Sequence, residues 1–262
     1  MRILIDMQGA QTESRYRGIG RYTMSFVRAL VRNNANHEII LLLSDFFPES
    51  VRSIRSEFEG VLPASGIRVW GAPGPVREME ADNGERRAVA ENIREAFIAT
   101  LAPDVIHLTS LFEGYVDDGV VTVGAAGFPI PVTITLYDLI PYLYQDKYLE
   151  NEQYRTHYLR KIESLDEVTA FLAISEFSRI EGWKTLRLKE DLFHNVSCAI
   201  DDDFARSATC GDIGDLRKRV GIQREFVLYT GGADGRKNLE RLVEAYAHLP
   251  ALMRENHQLV LA

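Results

Sequence analysis

MRILIDMQGAQTESRYRGIGRYTMSFVRALVR, residues Met1–Arg32, holds one full period of the pattern that organises this chain. Arg2–Met7 is a short apolar run, long enough for a buried strand and too short for a helix. Tyr22–Arg32 reads as an amphipathic helix that follows a glycine-bearing turn. A strand leading through a glycine turn into a helix is the start of a βα unit, and such units stack into parallel sheets.

The same alternation continues outward. Glu38–Leu43, Gly66–Trp70, Asp104–Thr109, Val132–Leu136, Ala170–Ile174 and Asn195–Ala199 read as further strands. Glu85–Leu101 reads as a helix stopped by Ala102-Pro103, and Asn151–Val168 as a long polar-faced helix. Ser175 stands where an N-cap belongs, with Glu176 in the first turn and Ser178 three residues on. The pattern then restarts, with a connecting helix at Asp212–Val220 and a strand at Phe226–Thr230 ending in Gly231-Gly232. A helix is predicted from Lys237 to His248 and a last strand from Gln258 to Ala262. The predicted class is α/β, a Rossmann-like parallel sheet over residues 1–200. A linker with a short helix occupies 201–223, and the first βαβ portion of a second Rossmann-like unit 224–262. One βαβ portion cannot bury both faces of a parallel sheet, so the natural chain is expected to continue past Ala262.

Of the 262 residues, 46% are hydrophobic and 26% charged, as in ordinary soluble domains. A net charge of -8 argues against a nucleic-acid partner, which would call for a basic face. Asp6 interrupts the first apolar run, so Met1–Ala10 is not expected to act as a signal peptide. No stretch approaches the roughly 18 apolar residues of a membrane span. Cys198 and Cys210 match no zinc or disulfide spacing and are expected to be free thiols in a reducing cytoplasm. The Asp201-Asp202-Asp203 run reads as structural or solvated, because consecutive carboxylates converge poorly on one ion. His107, within a strand, reads as a core residue, and no Ser-His-Asp or Cys-His arrangement is visible.

Four stretches have the chemistry of a ligand site. In Arg17-Gly18-Ile19-Gly20-Arg21-Tyr22, glycines let backbone amides approach a phosphate at a helix N-terminus. Thr23 stands where a dinucleotide fingerprint would have its third glycine, and the first strand ends some ten residues earlier. A flexible loop with a helix-entry glycine is the alternative. Tyr137-Asp138, after the Val132–Leu136 strand, lies at the sheet edge where open α/β folds bind ligands. Asp138 suits a hydroxyl, or else caps the following turn. Ser110-Leu111-Phe112-Glu113-Gly114 joins a carboxylate to an aromatic ring, as a sugar site does; a surface loop with a buried Phe112 is the alternative. Gly231-Gly232-Ala233-Asp234-Gly235-Arg236-Lys237-Asn238 runs a glycine-rich strand end into a predicted helix start bearing two cations. Cations there are unfavourable unless an anion binds, so this stretch points to a phosphate; solvated surface charge is the alternative.

These stretches, with Ile174–Arg179 (ISEFSR), resemble in order the family-four glycosyltransferases, particularly bacterial mannosyltransferase-like members that build surface polysaccharides. The resemblance spans nearly the whole chain and implies a GT-B fold of two Rossmann-like domains, acceptor on the first and sugar nucleotide mainly on the second. It implies a donor site at Gly18, Ile19, Gly20, Gly232, Arg236, Lys237 and Asn238. It further implies an acceptor site at Glu113, Tyr137 and Asp138. Many members have His before the aspartate; Tyr137 stands there instead, leaving Asp138 as the matching polar residue. The family's pair of glutamates eight positions apart would fall beyond Ala262.

The reaction so implied is retaining transfer of a sugar from a nucleotide diphosphate, GDP-mannose by likeness, to a glycan or lipid-linked acceptor. Arg236 and Lys237 would stabilise the departing diphosphate, assisted by the Gly18–Gly20 amides, while Asp138 and Glu113 orient the sugar or acceptor. No metal or other cofactor is required, because side chains supply the positive charge. The expected location is cytoplasmic, with peripheral attachment to the inner face of the membrane. Residues 1–262 alone are expected to be inactive as a transferase. The rival readings are a non-catalytic nucleotide- or sugar-binding α/β module and a Rossmann oxidoreductase, the latter disfavoured by the missing third glycine.

Overall fold

The computed structural model describes every residue except Ala35, 125–128, 201–209 and Ala233, and omits the side chains of 210–212. The Asp201–Asp203 run therefore lies outside the described residues, as does the Cys210 side chain; Cys198 is a free, exposed thiol. The chain divides into two compact units, Met1–Ala199 and Ile200–Ala262.

In the first unit seven strands form one sheet: β1 (Arg2–Asp6), β2 (Glu38–Ser44), β3 (Ile67–Trp70), β4 (Val105–Leu108), β5 (Val132–Leu136), β6 (Ala170–Ala173) and β7 (Phe193–Asn195). Their order is β3-β2-β1-β4-β5-β6-β7, and every neighbouring pair is parallel. Strand order therefore reverses between β1 and β4. From the carboxyl end of β1 the chain runs through two 3-10 turns into α1 (Gly18–Arg32), and from that of β4 into the loop leading to β5; such a reversal point is where open sheets bind ligands.

The period-two alternation of β2 shows why both faces close. Ile39, Leu41 and Leu43 belong to one buried cluster with Val27, Val31 and Ile54, from α1 (Gly18–Arg32) and α2 (Pro48–Glu57). Ile40 and Leu42 belong to the other, with Ile98 and Leu101 of α3 (Gly84–Leu101). A strand covered on both sides must be apolar along its covered length, as this one is from Ile39 to Leu43. Further along run the short helices α4 (Ile140–Leu143) and α5 (Gln145–Tyr148), then α6 (Glu152–Glu163) and α7 (Glu176–Leu186). Within the core Arg94 of α3 lies 2.6 Å from Asp6 at the end of β1 and 2.7 Å from Glu95, tying helix to sheet by a buried ion pair.

His107 on β4 is a core residue, as its place in a strand predicts. Its ring nitrogens exchange hydrogen bonds with Thr133 Oγ1 at 2.9 Å and Thr135 Oγ1 at 3.1 Å. Burial lowers its pKa to about 4. The unfolded chain takes up a proton near pH 6.5 that the folded chain refuses until about 4, so acid works against folding across that window. Stability should fall by up to about 3 kcal/mol from this group as pH drops from 6.5 to 4. Denaturant melts at several pH values should show a shallower slope in His107→Gln; an unchanged slope would contradict the assignment. His157 keeps part of the slope, since burial lowers it too.

Several predicted boundaries need correction. The last strand of the first unit is Phe193–Asn195, not Asn195–Ala199. Phe193 is buried and stacks on Phe171 at 4.2 Å, whereas Val196–Ala199 are exposed. Asn195 Oδ1 accepts from the Ser197 amide, closing a turn with Ser197 at φ 56°. Helix α1 begins at Gly18 rather than Tyr22. The long helix predicted at Asn151–Val168 ends at Glu163 and gives way to a 3-10 turn over Ser164–Glu167.

The second unit pairs β8 (Glu225–Tyr229) with β9 (His257–Leu261) in parallel. Around them lie α8 (Cys210–Arg219), α9 (Leu239–Ala247) and α10 (Ala251–Asn256). The helix predicted at Lys237–His248 starts only at Leu239, because Asn238 adopts a left-handed φ of 54°. Among the described residues no helix is long and apolar enough to cross a membrane.

Candidate functional site

Over the switch point of the first unit lies a cavity of about 660 Å³. Its walls come from the segment after β1, the loop after β4 and the end of β5, with α6 closing one side. The chain leaves β1 through two 3-10 turns, Gln8–Ala10 and Glu13–Tyr16, which absorb the ten residues that a tight Rossmann turn has no room for. Gln11 holds these turns to the end of β2: its Oε1 accepts from the Ser44 amide at 2.8 Å and its Nε2 donates to Ser44 O at 3.1 Å.

The glycine loop is thus the first turn of α1. The amides of Gly18, Ile19 and Gly20 precede the first intrahelical bond, from Arg21 N to Arg17 O at 3.2 Å, and so have no intrahelical partner; Gly18 is exposed, Ile19 half-buried and Gly20 buried. The two glycines differ in kind. A Cβ on Gly20 would stand 2.4 Å from Arg15 Cα, so this residue lets the helix pack on the preceding turn. A Cβ on Gly18 would meet nothing within 4 Å. Arg17 and Ile19 line the cavity.

Glu113 lines the cavity too, but both its oxygens have protein partners. Thr12 Oγ1 donates to Oε2 at 2.8 Å and Ser110 Oγ to Oε1 at 2.6 Å. Burial pushes its pKa up, against the hydroxyl donors that favour the carboxylate. Its visible work is to bind the β4 loop to the turns after β1. Tyr137 Oη donates to Thr109 O at 3.1 Å, and Asp138 accepts from the Ile140 amide at 3.1 Å, capping the turn while lining the cavity. Ser178, in the ISEFSR stretch, donates from its hydroxyl to Tyr137 O at 2.8 Å. Ser175 Oγ accepts from the Ser178 amide at 3.0 Å, the predicted cap. That stretch therefore fixes the β5 end.

Sequence reasoning missed the wall that α6 contributes. Tyr154 and Tyr158 stand four residues apart on one helix face and both line the cavity, a spacing legible in the sequence. Tyr158 stacks on Phe112 with ring centroids 4.4 Å apart, and Tyr115 meets Tyr154 at 4.8 Å. Behind this wall Glu78 bolts α6 to α3: its carboxylate lies 2.7 Å from His157, 2.6 Å from Arg160 and 3.1 Å from Arg87. Burial opposes that charge, yet the His157 hydrogen bond and the surrounding cations bring the Glu78 pKa down to about 2.

In the second unit, Gly232, Arg236, Lys237 and Asn238 share the turn after β8. Arg236 and Lys237 lie in a 3-10 turn, Gly235–Lys237, that precedes helix α9. Asp234 accepts from the Arg236 amide at 3.0 Å, and its carboxylate sits 3.3 Å from Arg236 Nε. The expectation of two uncompensated cations on a helix start is thereby corrected: Asp234 supplies counter-charge to one of them. Both cations are solvent-exposed.

A doubly wound parallel sheet of this order, with a polar and aromatic cavity at its reversal point, has the architecture of the GT-B glycosyltransferases. The profile of Glycosyltransferase Family 4 matches residues 16–204, and the chain belongs to that family. Serotype-specific mannosyltransferase WbdA of Escherichia coli is 31% identical over all of this chain, which covers 31% of that protein. O-antigen chain mannosyltransferase B, also of Escherichia coli, is 29% identical over 41% of the chain and 29% of its own length. The chain thus spans about a third of the curated relatives it matches. Among solved structures, Anabaena HepE in complex with UDP and glucose superposes with a TM-score of 0.63 at 14% identity, over all of this chain and 60% of that one. At that identity the likeness speaks for the fold alone.

Proposed function

We propose that this chain carries acceptor-side and donor-side residues of a retaining glycosyltransferase that moves mannose from GDP-mannose to a glycan in O-antigen synthesis. The observation that carries the reading is one cavity, at the switch point, that gathers Ile19, Glu113, Tyr137 and Asp138 from separate motifs. The similarity to WbdA supports mannose and surface polysaccharide as the context. The bond from the sugar's anomeric carbon to the diphosphate oxygen breaks, and a bond to the acceptor hydroxyl forms on the same face. Negative charge grows on the departing diphosphate, where Arg236 and Lys237 stabilise it. The diphosphate accepts the hydroxyl proton, so no separate base is needed. Asp138 orients the reacting hydroxyl.

The test is an assay of the full-length protein with GDP-mannose and a mannose-terminated glycan, following GDP release and the anomeric configuration of the product. Retained configuration with GDP release is expected. Tight GDP or UDP binding without sugar transfer to any acceptor would instead favour the binding-module reading.

A further inference from the structure

Resting on the glycosyl-transfer reading, we propose that the cavity of the first unit takes the uncharged end of an oligosaccharide acceptor, more than one ring long, and rejects anionic sugars. Two features of the lining point there independently. The first is a continuous aromatic strip. Phe112 and Tyr158 stack at 4.4 Å and 11°, Tyr154 contacts Tyr158 at 6.2 Å, and Tyr115 contacts Tyr154 at 4.8 Å. All four line the cavity. Tyr158 is buried behind Phe112, so the half-buried rings of Phe112, Tyr154 and Tyr115 offer surface on which the C–H faces of successive pyranoses pack.

The second feature is charge. Among the described lining residues four carboxylates, Glu13, Glu113, Asp117 and Asp138, stand against a single cation, Arg17. Carboxylates accept hydrogen bonds from sugar hydroxyls at no electrostatic cost. A uronate or sugar phosphate placed among them meets like charge in a half-enclosed site, which disfavours it. The strip supplies affinity and the carboxylates discriminate, and neither feature needs the donor to be bound.

The experiment is titration of the full-length protein with methyl mannobioside, with a glucuronic-acid disaccharide of equal length, and with a short polyprenyl phosphate, by calorimetry. The neutral disaccharide is expected to bind at least about tenfold more tightly than the anionic one. Tyr154→Ala should weaken the neutral ligand about tenfold, while Tyr154→Phe, which keeps the ring, stays within about twofold. Glu13→Gln combined with Asp138→Asn should bring the two disaccharides within about threefold of each other. Melting curves confirm that each variant is folded. Equal affinity for both disaccharides in the wild-type protein, indifference to Tyr154→Ala, or displacement of the disaccharide by the polyprenyl phosphate would overturn the inference. Any of these alongside intact sugar transfer leaves the glycosyltransferase reading standing. Selective disaccharide binding without transfer to any acceptor would do the reverse.

Discussion

Gly114→Ala is expected to lower the melting midpoint by about 10 °C, from a loss of roughly 3–5 kcal/mol. Gly114 has φ +93°, a conformation that side chains rarely adopt, and a Cβ there would stand 1.9 Å from Gly119 O. Relief requires moving the loop, yet the loop is held from behind. Arg87, with 3% of its surface exposed, donates through Nη1 to Val76 O at 3.1 Å, Gly114 O at 3.0 Å and Gly119 O at 3.2 Å. Shifting Gly114 breaks a charge-assisted bond to a guanidinium that water cannot reach. The same movement displaces Glu113 and Tyr115, so ligand binding in the cavity should weaken along with stability. A midpoint within about 2 °C of wild type would mean that the loop yields more easily than its bonds imply.

Arg236→Ala in the full-length protein is expected to reduce turnover by about 10²–10³-fold while the melting midpoint stays in place. The side chain is exposed and buries little, so its removal leaves the fold without a cavity. The Asp234 carboxylate lies 3.3 Å from its Nε and keeps the guanidinium near the turn. On the proposed mechanism a diphosphate, a bidentate partner of higher charge, would take the fork from Asp234. Arg236→Lys keeps the charge without the fork and should fall between the two. Wild-type turnover in Arg236→Ala would remove this residue from the mechanism.

The sheet was legible from sequence because its strands are buried on both faces. Ile39 through Leu43 leave no polar position to confuse the pattern. The errors share one cause, local backbone geometry that side-chain periodicity does not encode. Asn238 breaks a helical pattern by turning left-handed, and Ser197 ends a strand in the same way. Likewise the glycine loop signals a helix entry, but only coordinates show that Gly20 makes room for Arg15 and Gly18 does not. Among site residues, those next to strand ends were found because open α/β sheets dictate where to look. Tyr154 and Tyr158 were missed because α6 is remote in sequence from every strand end it faces across the cavity.

The anchoring of the cavity walls has a consequence for how such proteins diversify. Apart from the α6 wall, the main lining segments hang from the carboxyl edge of a sheet whose two apolar faces are sealed by helices, and several of the ties that fix them run to main-chain atoms: Gln11 to Ser44, Ser178 to Tyr137, Arg87 to three carbonyls. Main-chain partners survive when neighbouring side chains change. Outside Gly114 and the Ser110–Glu113 pair, side chains of the loops at 110–117 and 137–141 can therefore change with folding left to the sheet. Recognition is modular here: a few cavity side chains can change while the sheet keeps its fold.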